Sequence, residues 1–196
     1  MNIRIVTADR VPWEDLDAVF GPGNPHGSNW ASNNCRCQRF KVPGWMWRDS
    51  TLAERLAAQR AQARGGSGLV AYVDDEPAGW VAVEPRVAYP KLLTTRAPWT
   101  GRNEDRHDPD VWAVTCFVVR KGYRGRGLTY RLAEAAAEHA RACGAKAVEG
   151  YSMLTRPGKV ITWGELHVGA KQVFEEAGFR EVHQPSARRV VMRKDF

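Results

Sequence analysis

A turn rich in glycine and arginine joins an apolar run to an alanine-rich run within residues 118–144. Gly125 and Gly127 would leave backbone N–H groups uncovered at the start of the following helix, where the helix dipole is positive. Guanidinium groups form charge-assisted, often bidentate pairs with phosphate. Five basic residues lie in or near this turn: Arg120, Lys121, Arg124, Arg126 and Arg131. The residue types and their spacing therefore predict a phosphate-binding turn.

Two residues with proton-transfer chemistry follow the alanine-rich run. Glu149 and Tyr151 are two apart, so in a strand their side chains point to one face. A carboxylate and a phenol placed in this way could act as a general base and a general acid. Simpler roles stay open, with Glu149 as the charge partner of a nearby arginine and Tyr151 as an aromatic at a pocket rim. Glu84 and Asp110 are substitutes for the carboxylate.

The cysteines are weaker candidates for chemistry. Cys116 lies in an apolar run, where a cysteine is usually a core residue and not a nucleophile. Cys35 and Cys37 lie near His26 in the sequence, but no second Cys or His pair completes the four ligands of a structural zinc site. We therefore expect no metal.

Length and composition bound the class of protein. A chain of 196 residues favours one domain, here residues 1–196. Its net charge of +7 favours an anionic partner, but no aromatic stacking pattern or basic recognition helix accompanies the arginines, so we expect no nucleic-acid partner. The first apolar run is too short for a signal peptide, and no segment approaches the roughly 18 apolar residues of a membrane span. We expect a cytoplasmic protein with no membrane partner.

Hydrophobic periodicity predicts the elements of the amino-terminal half. Residues 2–7 alternate as in a strand, and a helix follows Pro12 and stops at Gly21. A Thr-x-x-Glu capping box begins a second helix over residues 51–64. Two short β-like runs then form an antiparallel hairpin over residues 68–84.

The carboxyl-terminal half centres on an apolar strand at residues 111–119, as expected of a strand covered on both faces. The glycine turn leads from it into a helix ending at Gly144, and residues 146–151 form the next strand. Two strands joined through a helix imply a parallel, right-handed crossover. A short helix ending at Gly178 and two final strands complete the chain.

Two known designs place a glycine turn between a strand and a helix. In the dinucleotide fingerprint G-x-G-x-x-G, Gly125 and Gly127 fit, but the third glycine position is Tyr130, with Glu149 as the ribose acid. That fold needs several βαβ units, which the hairpin before the turn and the short remainder after it do not supply. We therefore set this design aside.

The second design is the GNAT superfamily of acyl-CoA-dependent N-acyltransferases, which the chain resembles from end to end. The signature loop of that family, Gln/Arg-x-x-Gly-x-Gly/Ala, reads here Arg124-Gly125-Arg126-Gly127-Leu128-Thr129, with threonine in place of the small residue. The element order β-α-α-β-β-β-α-β-α-β-β and the run FEEAGFREV also fit. The resemblance implies an α/β (α+β) fold whose mixed, mostly antiparallel central sheet has a splayed parallel strand pair and flanking helices.

The resemblance also implies a ligand and a reaction. Acetyl-CoA, or another acyl-CoA, would lie where the two parallel strands splay. Backbone groups of Phe117, Val118 and Val119 would meet its pantetheine arm, and residues 124–129 would cradle its pyrophosphate. The acyl group would pass by direct attack, in a ternary complex, to an amine of a small molecule or a protein. A homodimer stays open.

Two positions depart from the pattern of the family. The strand position that often holds a general-base carboxylate is Ala113, and the tyrosine that often serves as acid is Phe174. Neither residue can move a proton, so Glu149 and Tyr151 are our catalytic candidates. A catalytically silent CoA-binding module is the alternative function.

Acceptor specificity is expected to come from the irregular segments at residues 21–49 and 85–110. Their aromatic residues would either wall a pocket for a flat or apolar acceptor or cover the core. The tryptophans concerned are Trp30, Trp45, Trp47, Trp99 and Trp112.

Glu165 and His167 lie in the loop before the last short helix, near the place where this family's cofactor leaves its cleft, and we expect solvated side chains there.

Overall fold

The computed structural model describes residues 1–21, 36–155, 158 and 161–196. Seven strands in these ranges form one sheet. They are β1 (Ile3–Thr7), β2 (Leu69–Val73), β3 (Glu76–Pro85), β4 (Val111–Val119), β5 (Ala147–Met153), β6 (Arg180–Ser186) and β7 (Arg189–Asp195). Their order across the sheet is β1-β2-β3-β4-β5-β7-β6.

Helices flank this sheet in the order that the sequence predicts. Three further short helices lie where the sequence predicts irregular structure or a loop, and in the described residues no helix is long and apolar enough to cross a membrane. The helices are α1 (Trp13–Phe20), α2 (Gly44–Asp49), α3 (Leu52–Arg64), α4 (Pro90–Thr94), α5 (Leu128–Ala142), α6 (Trp163–Leu166) and α7 (Lys171–Glu176).

Local sequence signals explain several of these boundaries. The side chain of Thr51 accepts a hydrogen bond from the Glu54 backbone N–H at 3.2 Å, and the Glu54 carboxylate accepts one from Thr51 N at 2.7 Å. This capping box begins α3 as predicted. Asp74 and Asp75 both have positive φ in the tight turn of the β2–β3 hairpin, which is the conformation that two-residue hairpin turns require.

The one parallel strand pair among the described residues is β4 with β5, which α5 connects. The other neighbouring strands are antiparallel. The predicted mixed sheet is therefore confirmed. Its two central strands pair from Val111 and Ala147 only as far as Val114 and Gly150, although both strands continue beyond that point.

A β-bulge lies beside the point where this pairing stops. The register between β3 and β4 shifts between Ala82 and Val83, which leaves Thr115 as an extra residue in β4. A bulge bends its strand and increases the local twist. The predicted splay of the parallel pair thus has a visible local cause in β4.

The two faces of the sheet are covered differently. Helices α5 and α7 pack on one face around Val114, Val148 and Phe174. On the other face, α1 covers β3 and β4, and the segment containing α4 covers the part of the sheet that includes Ala113 and Tyr151. Glu149 belongs to this second face, because it lies two residues from Tyr151 on the same strand.

Phe174 is a packing residue at the position where the family often has a tyrosine that serves as an acid. Its side chain is fully buried, and its ring lies against Gly150, so that a Cβ atom at residue 150 would overlap the ring. Gly150 is the last residue of β5 that pairs with β4. Because Gly150 has no side chain, the Phe174 ring fits against its backbone at the point where β4 and β5 begin to separate.

We predict that Gly150→Ala lowers the free energy of unfolding by about 1–3 kcal/mol, because overpacking a filled site forces side chains and backbone to shift. Urea denaturation measures the loss. In a Phe174→Leu background, the same substitution should cost clearly less. Gly44→Ala is the matched control, since its Cβ would meet only the end of Lys91 at an ordinary 3.5 Å. Equal costs of Gly150→Ala in both backgrounds would contradict the contact.

Candidate active site

The glycine turn is built around the amino terminus of α5. Gly125 and Gly127 have φ values of +73° and +74°, a region that residues with a side chain enter only at a cost of roughly 1–2 kcal/mol. Gly127 is the N-cap, and no described side chain caps the helix. The first N–H groups of a helix of 15 residues therefore face outward from the turn.

A cavity of about 280 Å³ opens at this turn, and we name it the turn cavity. It extends from the turn along β4 to α7. Seven of the nine residues that the sequence predicts for cofactor binding line it: Phe117, Val119, Arg124, Gly125, Gly127, Leu128 and Thr129. The structure thus brings the predicted loop and strand residues together around one space.

The other two predicted residues lie beside the turn cavity. The Val118 side chain packs in the core on the opposite face of the sheet, as strand alternation requires. The Arg126 guanidinium lies 5.6 Å from the centre of the Tyr123 ring. Arg124, by contrast, lines the cavity and donates a hydrogen bond from Nε to the Val119 carbonyl oxygen at 3.0 Å.

A stretch of chain at residues 166–170, here called the bridging segment, fills the opening between β4 and β5. The Phe117 N–H donates to the His167 carbonyl oxygen at 2.6 Å, and the Met153 N–H donates to the Gly169 carbonyl oxygen at 2.9 Å. The segment therefore contacts one strand on each side, beyond the last paired residues. These bonds fix the backbone of the bridging segment, which includes His167.

A second cavity, of about 240 Å³, lies on the face of the sheet opposite α5. We name it the face cavity. Its walls come from α4, β5, β7 and the bridging segment, and Tyr151 is among them. His167 lines both the face cavity and the turn cavity. The two spaces therefore adjoin at one residue, His167.

The His167 side chain is buried, with 7% of its surface exposed, so the expectation of a solvated residue was wrong. Its Nδ1 lies 2.8 Å from the Gly164 carbonyl oxygen. Since a carbonyl only accepts, Nδ1 carries the hydrogen and Nε2 presents a lone pair. In the described part of the chain, Nε2 has no hydrogen-bond partner. Loop sequence alone carries no signal for this burial, which depends on the two strands that hold the bridging segment.

Burial lowers the pKa of His167, and the charges of Arg39, Arg189 and Lys91 lower it further, to about 4. The hydrogen bond to Gly164 opposes this shift without cancelling it. The imidazole is therefore neutral at pH 7 and able to accept a proton at Nε2.

Glu149 lies in a buried cluster of arginines. It is fully buried and forms ion pairs with Arg86 at 3.2 Å, with Arg193 at 3.0 Å and with Arg102. Tyr151 adds a hydrogen bond from its hydroxyl at 2.7 Å. The charge-partner role that the sequence left open for Glu149 is thus present in the structure. Its catalytic role stays a prediction.

The protonation states of this pair follow from their contacts. Burial opposes ionisation of Glu149, but the hydrogen bond and charge of Arg102, together with Tyr151 and Arg86, outweigh it and lower the pKa of the carboxyl group. Burial, followed by the charge of Glu149, raises the pKa of Tyr151 well above its usual value. At neutral pH the pair is a carboxylate and a protonated phenol.

The cluster also fixes the irregular segment that follows β3. Arg86 is fully buried, and its guanidinium donates to the backbone carbonyl oxygens of Asp105 at 2.6 Å and Arg106 at 3.1 Å. The Trp99 ring lies under the same group, 4.8 Å from the Arg86 guanidinium carbon. Charge pairs and stacking therefore hold the wall of the face cavity on the sheet.

The substitute carboxylates lie away from both cavities. Glu84 accepts a hydrogen bond from Ser67 Oγ at 2.6 Å and pairs with Lys41. Asp110 is exposed at the start of β4, where its N–H donates to Asp108. Neither residue lines the turn cavity or the face cavity as far as the structure describes them.

Cys37 and Cys116 take packing positions in the core, whereas Cys143 is exposed. Cys116 is buried in the core, and its sulfur lies 3.2 Å from that of Cys37. Cys35 and His26 lie outside the described residues. In the described ranges, no group of three or more His, Cys, Asp or Glu residues could hold a metal ion.

Two of the five tryptophans named from the sequence, Trp99 and Trp112, cover the core. Trp99 is buried in the cluster under α4, and Trp112 packs on the α5 side of the sheet against His139. Trp45 is exposed on α2. None of the tryptophans that the structure describes lines the face cavity, and Trp30 lies outside the described residues. For Trp99 and Trp112, covering the core was therefore the right interpretation.

Solved structures share this architecture over the whole chain. A mosquito protein named arylalkylamine N-acetyltransferase like 5b aligns over 100% of both chains with a TM-score of 0.58 and 14% identity. An N-acetyltransferase from Staphylococcus aureus aligns over 100% of this chain and 99% of its own, with a TM-score of 0.54 and 14% identity. The protein yncA from Salmonella typhimurium was solved with its cofactor acetyl-CoA. It aligns over 98% of this chain and 93% of its own, with a TM-score of 0.54 and 14% identity. At such identities the likeness shows the fold.

The sequence itself shows the family. Residues 33–152 match the profile of the Acetyltransferase (GNAT) family, which is more than half of the 196 residues. The chain therefore belongs to the acetyltransferase (GNAT) family, and the resemblance inferred from the glycine turn is confirmed. No curated protein matches the chain at a significant level.

Glu149→Gln should lower the free energy of unfolding at pH 7 by about 3–5 kcal/mol, because it removes the buried carboxylate that Arg86, Arg102 and Arg193 share. The fully buried Arg86 then keeps only the partly exposed Glu104 as an acidic partner. Denaturant titration measures the loss. The folded-state pKa of Glu149 is lowered, so its stabilisation is present above the ordinary carboxyl pKa and is lost as pH falls through the lowered value. The gap between wild type and variant should therefore close in acid.

Glu134→Gln is the control for this prediction, because it removes an exposed pair with Arg131 on α5 and such pairs contribute little. An equal and small effect of both substitutions at pH 7 would contradict the structural role of Glu149.

Proposed function

We propose that the protein transfers an acetyl or another short acyl group from acyl-CoA to an amine by direct attack in a ternary complex. The observation that carries this proposal is the meeting of the turn cavity and the face cavity at His167. One space begins at a helix amino terminus, and the other lies across the opening between the parallel strands. Two substrates held in these spaces would meet at the splay.

Coenzyme A suits the turn cavity for electrostatic reasons. Its pyrophosphate would lie at residues 124–129, where the N–H groups of α5 face outward and Arg124 contributes a guanidinium. The helix dipole alone contributes roughly 0.3–2 kcal/mol, so the arginine is needed as well. Phe117 and Val119 would line the path of the pantetheine arm toward His167. The acetyl-CoA present in the Salmonella neighbour supports this assignment.

An amine acceptor suits the face cavity. The cavity adjoins the turn cavity, and its wall combines apolar side chains with the Tyr151 phenol. The names of the mosquito and Staphylococcus neighbours, both of which include N-acetyltransferase, support an amine as the acyl acceptor.

Tyr151 and Glu149 are proposed to act as a pair. Three arginines hold Glu149 ionised and occupy its oxygens, so its part in catalysis would run through Tyr151, whose hydroxyl it orients. The phenol keeps its proton at neutral pH, and that proton lies in the hydrogen bond to Glu149. The hydroxyl would turn from Glu149 to supply the proton to the departing thiolate, while its oxygen accepts a hydrogen bond from the amine. Glu149 is then a positioning residue.

A catalytically silent CoA-binding module is the second candidate. It is favoured by Ala113 and Phe174, which are fully buried packing residues at the positions where the family often has a base and an acid. Such a module would bind coenzyme A at the same turn and would transfer nothing. Binding and turnover measured together distinguish the two functions.

Gly127→Ala should weaken acetyl-CoA binding about tenfold in isothermal titration calorimetry, since alanine shifts the backbone away from positive φ and turns the N–H groups of α5 from the pyrophosphate. Gly144→Ala is the matched control, because Gly144 has φ +83° beyond the other end of α5 and nothing within 4 Å of its Cβ position. It should leave the affinity unchanged. Equal effects of both variants would remove the turn from cofactor binding.

Tyr151→Phe should lower kcat about 10²-fold, the lower end of the range for a general acid, and leave acetyl-CoA affinity unchanged. Thiol release from acetyl-CoA with a panel of amines measures turnover. If wild-type protein binds acetyl-CoA but no amine raises thiol release above hydrolysis, the silent module is correct. If Tyr151→Phe turns over at the wild-type rate, the phenol has no catalytic role.

A further inference from the structure

The walls of the face cavity carry a charge pattern that bears on the acceptor. Three cationic side chains, those of Arg39, Lys91 and Arg189, line the cavity. Among the described residues that line it, none has a carboxylate. A cavity with cations and no acid repels a cationic ligand and favours an anionic one.

The two guanidinium groups of this set lie close together. Burial lowers the pKa of Arg189, and the charge of Arg39 lowers it next, so the two charges repel each other across the cavity. Arg39 donates to the Gly164 carbonyl oxygen at 3.3 Å. Arg189 forms no salt bridge with a described residue; the nearby carboxylate of Glu165 pairs with Arg188 at 2.7 Å instead. An anion between Arg39 and Arg189 would relieve the repulsion.

The remaining wall of the face cavity is mostly apolar, with Phe40, Leu92, Pro98 and Val191 as members. The volume of about 240 Å³ lies just below the roughly 300–1,000 Å³ of sites for drug-sized ligands. A ligand that fills it is small, with an apolar body and one anionic end.

We infer that the acceptor is a small amino acid-type molecule, with a carboxylate held by Arg39, Lys91 and Arg189 and an amine directed toward His167. This inference rests on the proposed acyl transfer and names its substrate class. Arginine binds carboxylates in bidentate pairs, which would orient the ligand and leave its apolar side chain against Phe40 and Leu92. Polycationic amines are disfavoured by the same three charges.

The experiment compares acceptors that differ only in charge. Thiol release from acetyl-CoA is followed with the apolar L-amino acids, the corresponding amino acid amides and the corresponding amines without the carboxyl group. The best amino acid should have a kcat/KM at least tenfold above that of its amide. Amides or plain amines that react as well as the amino acids, or polyamines that react better, overturn the inference and leave the proposed acyl transfer standing.

The matched variants are Arg189→Gln and Arg188→Gln, at neighbouring positions of which Arg188 does not line the cavity. Arg189→Gln should raise KM for the amino acid about tenfold and barely change KM for the amide. Arg188→Gln should change neither. Equal effects of Arg189→Gln on both acceptors overturn the contact with the carboxylate. Absence of turnover with every amine, despite acetyl-CoA binding, overturns the proposed acyl transfer and this inference with it.

A separate observation concerns the proton of the attacking amine. The Nε2 atom of His167 is buried, has no partner in the described residues and belongs to a residue that lines both cavities. Buried polar atoms without partners are rare and call for an explanation. The hydrogen bond from Nδ1 to Gly164 fixes the tautomer in which Nε2 is the acceptor.

The geometry points to His167 as the general base of the reaction. A protonated acceptor gives one ammonium proton to Nε2. The free amine then attacks the thioester carbonyl carbon, the C–N bond forms and the C–S bond breaks. The thiolate takes the Tyr151 proton, and the phenolate takes a second proton from the nitrogen, which leaves an amide, coenzyme A and, after His167 releases its proton to solvent, the starting enzyme. An anionic acceptor offsets the charges of Arg39, Arg189 and Lys91, which lower the basicity of the imidazole in the empty cavity.

His167→Asn tests this role, because the amide nitrogen of asparagine replaces Nδ1 as the donor to Gly164 while the acceptor at Nε2 is lost. At pH 7, kcat should fall about 10²-fold or more with unchanged acetyl-CoA affinity. The deficit should shrink as pH rises toward the pKa of the amine, since the free amine needs no base. A wild-type kcat, or a deficit that is the same at every pH, overturns the role of His167 as base.

Discussion

The end of pairing between β4 and β5 is the constraint on which the site depends. The two strands pair only to Val114 and Gly150, with a bulge at Thr115 on one side and the Phe174 ring against Gly150 on the other. Backbone donors left without a partner strand must bond elsewhere, and here the bridging segment accepts them. The same opening therefore separates the strands, holds the segment and brings two cavities to one histidine.

Cationic side chains on this face of the sheet lie in two different kinds of surroundings. Around Glu149, arginines are paired with a carboxylate, and the segment that forms the cavity wall is fixed. Around His167, Arg39, Lys91 and Arg189 face a space whose described lining has no acid. Burial of paired charge makes a rigid wall, while cations beside an open cavity make a binding surface. The proposed reaction needs both, because an acceptor must be oriented as well as attracted.

Parts of the site are set by local chemistry and parts by distant contacts. The glycine turn works through its own backbone angles and the helix that it begins, so a short stretch of sequence contains it. Glu149 and Tyr151 share a face because strands alternate, and that too is local. What surrounds them is not, since Arg86 and Arg102 come from the irregular segment at residues 85–110 and Arg193 comes from β7.

The sequence alone determined the order of the main elements and the loop at residues 124–129, because periodicity, caps and glycine positions act over a few neighbouring residues. The mixed sheet followed from the resemblance to the family that this loop and this order support. It also placed Glu149 and Tyr151 on one face. Only the tertiary structure decided that Glu149 lies among three arginines and that His167 is buried with Nε2 unpartnered. Burial and charge at these atoms depend on chain segments far apart in sequence, which no local pattern encodes.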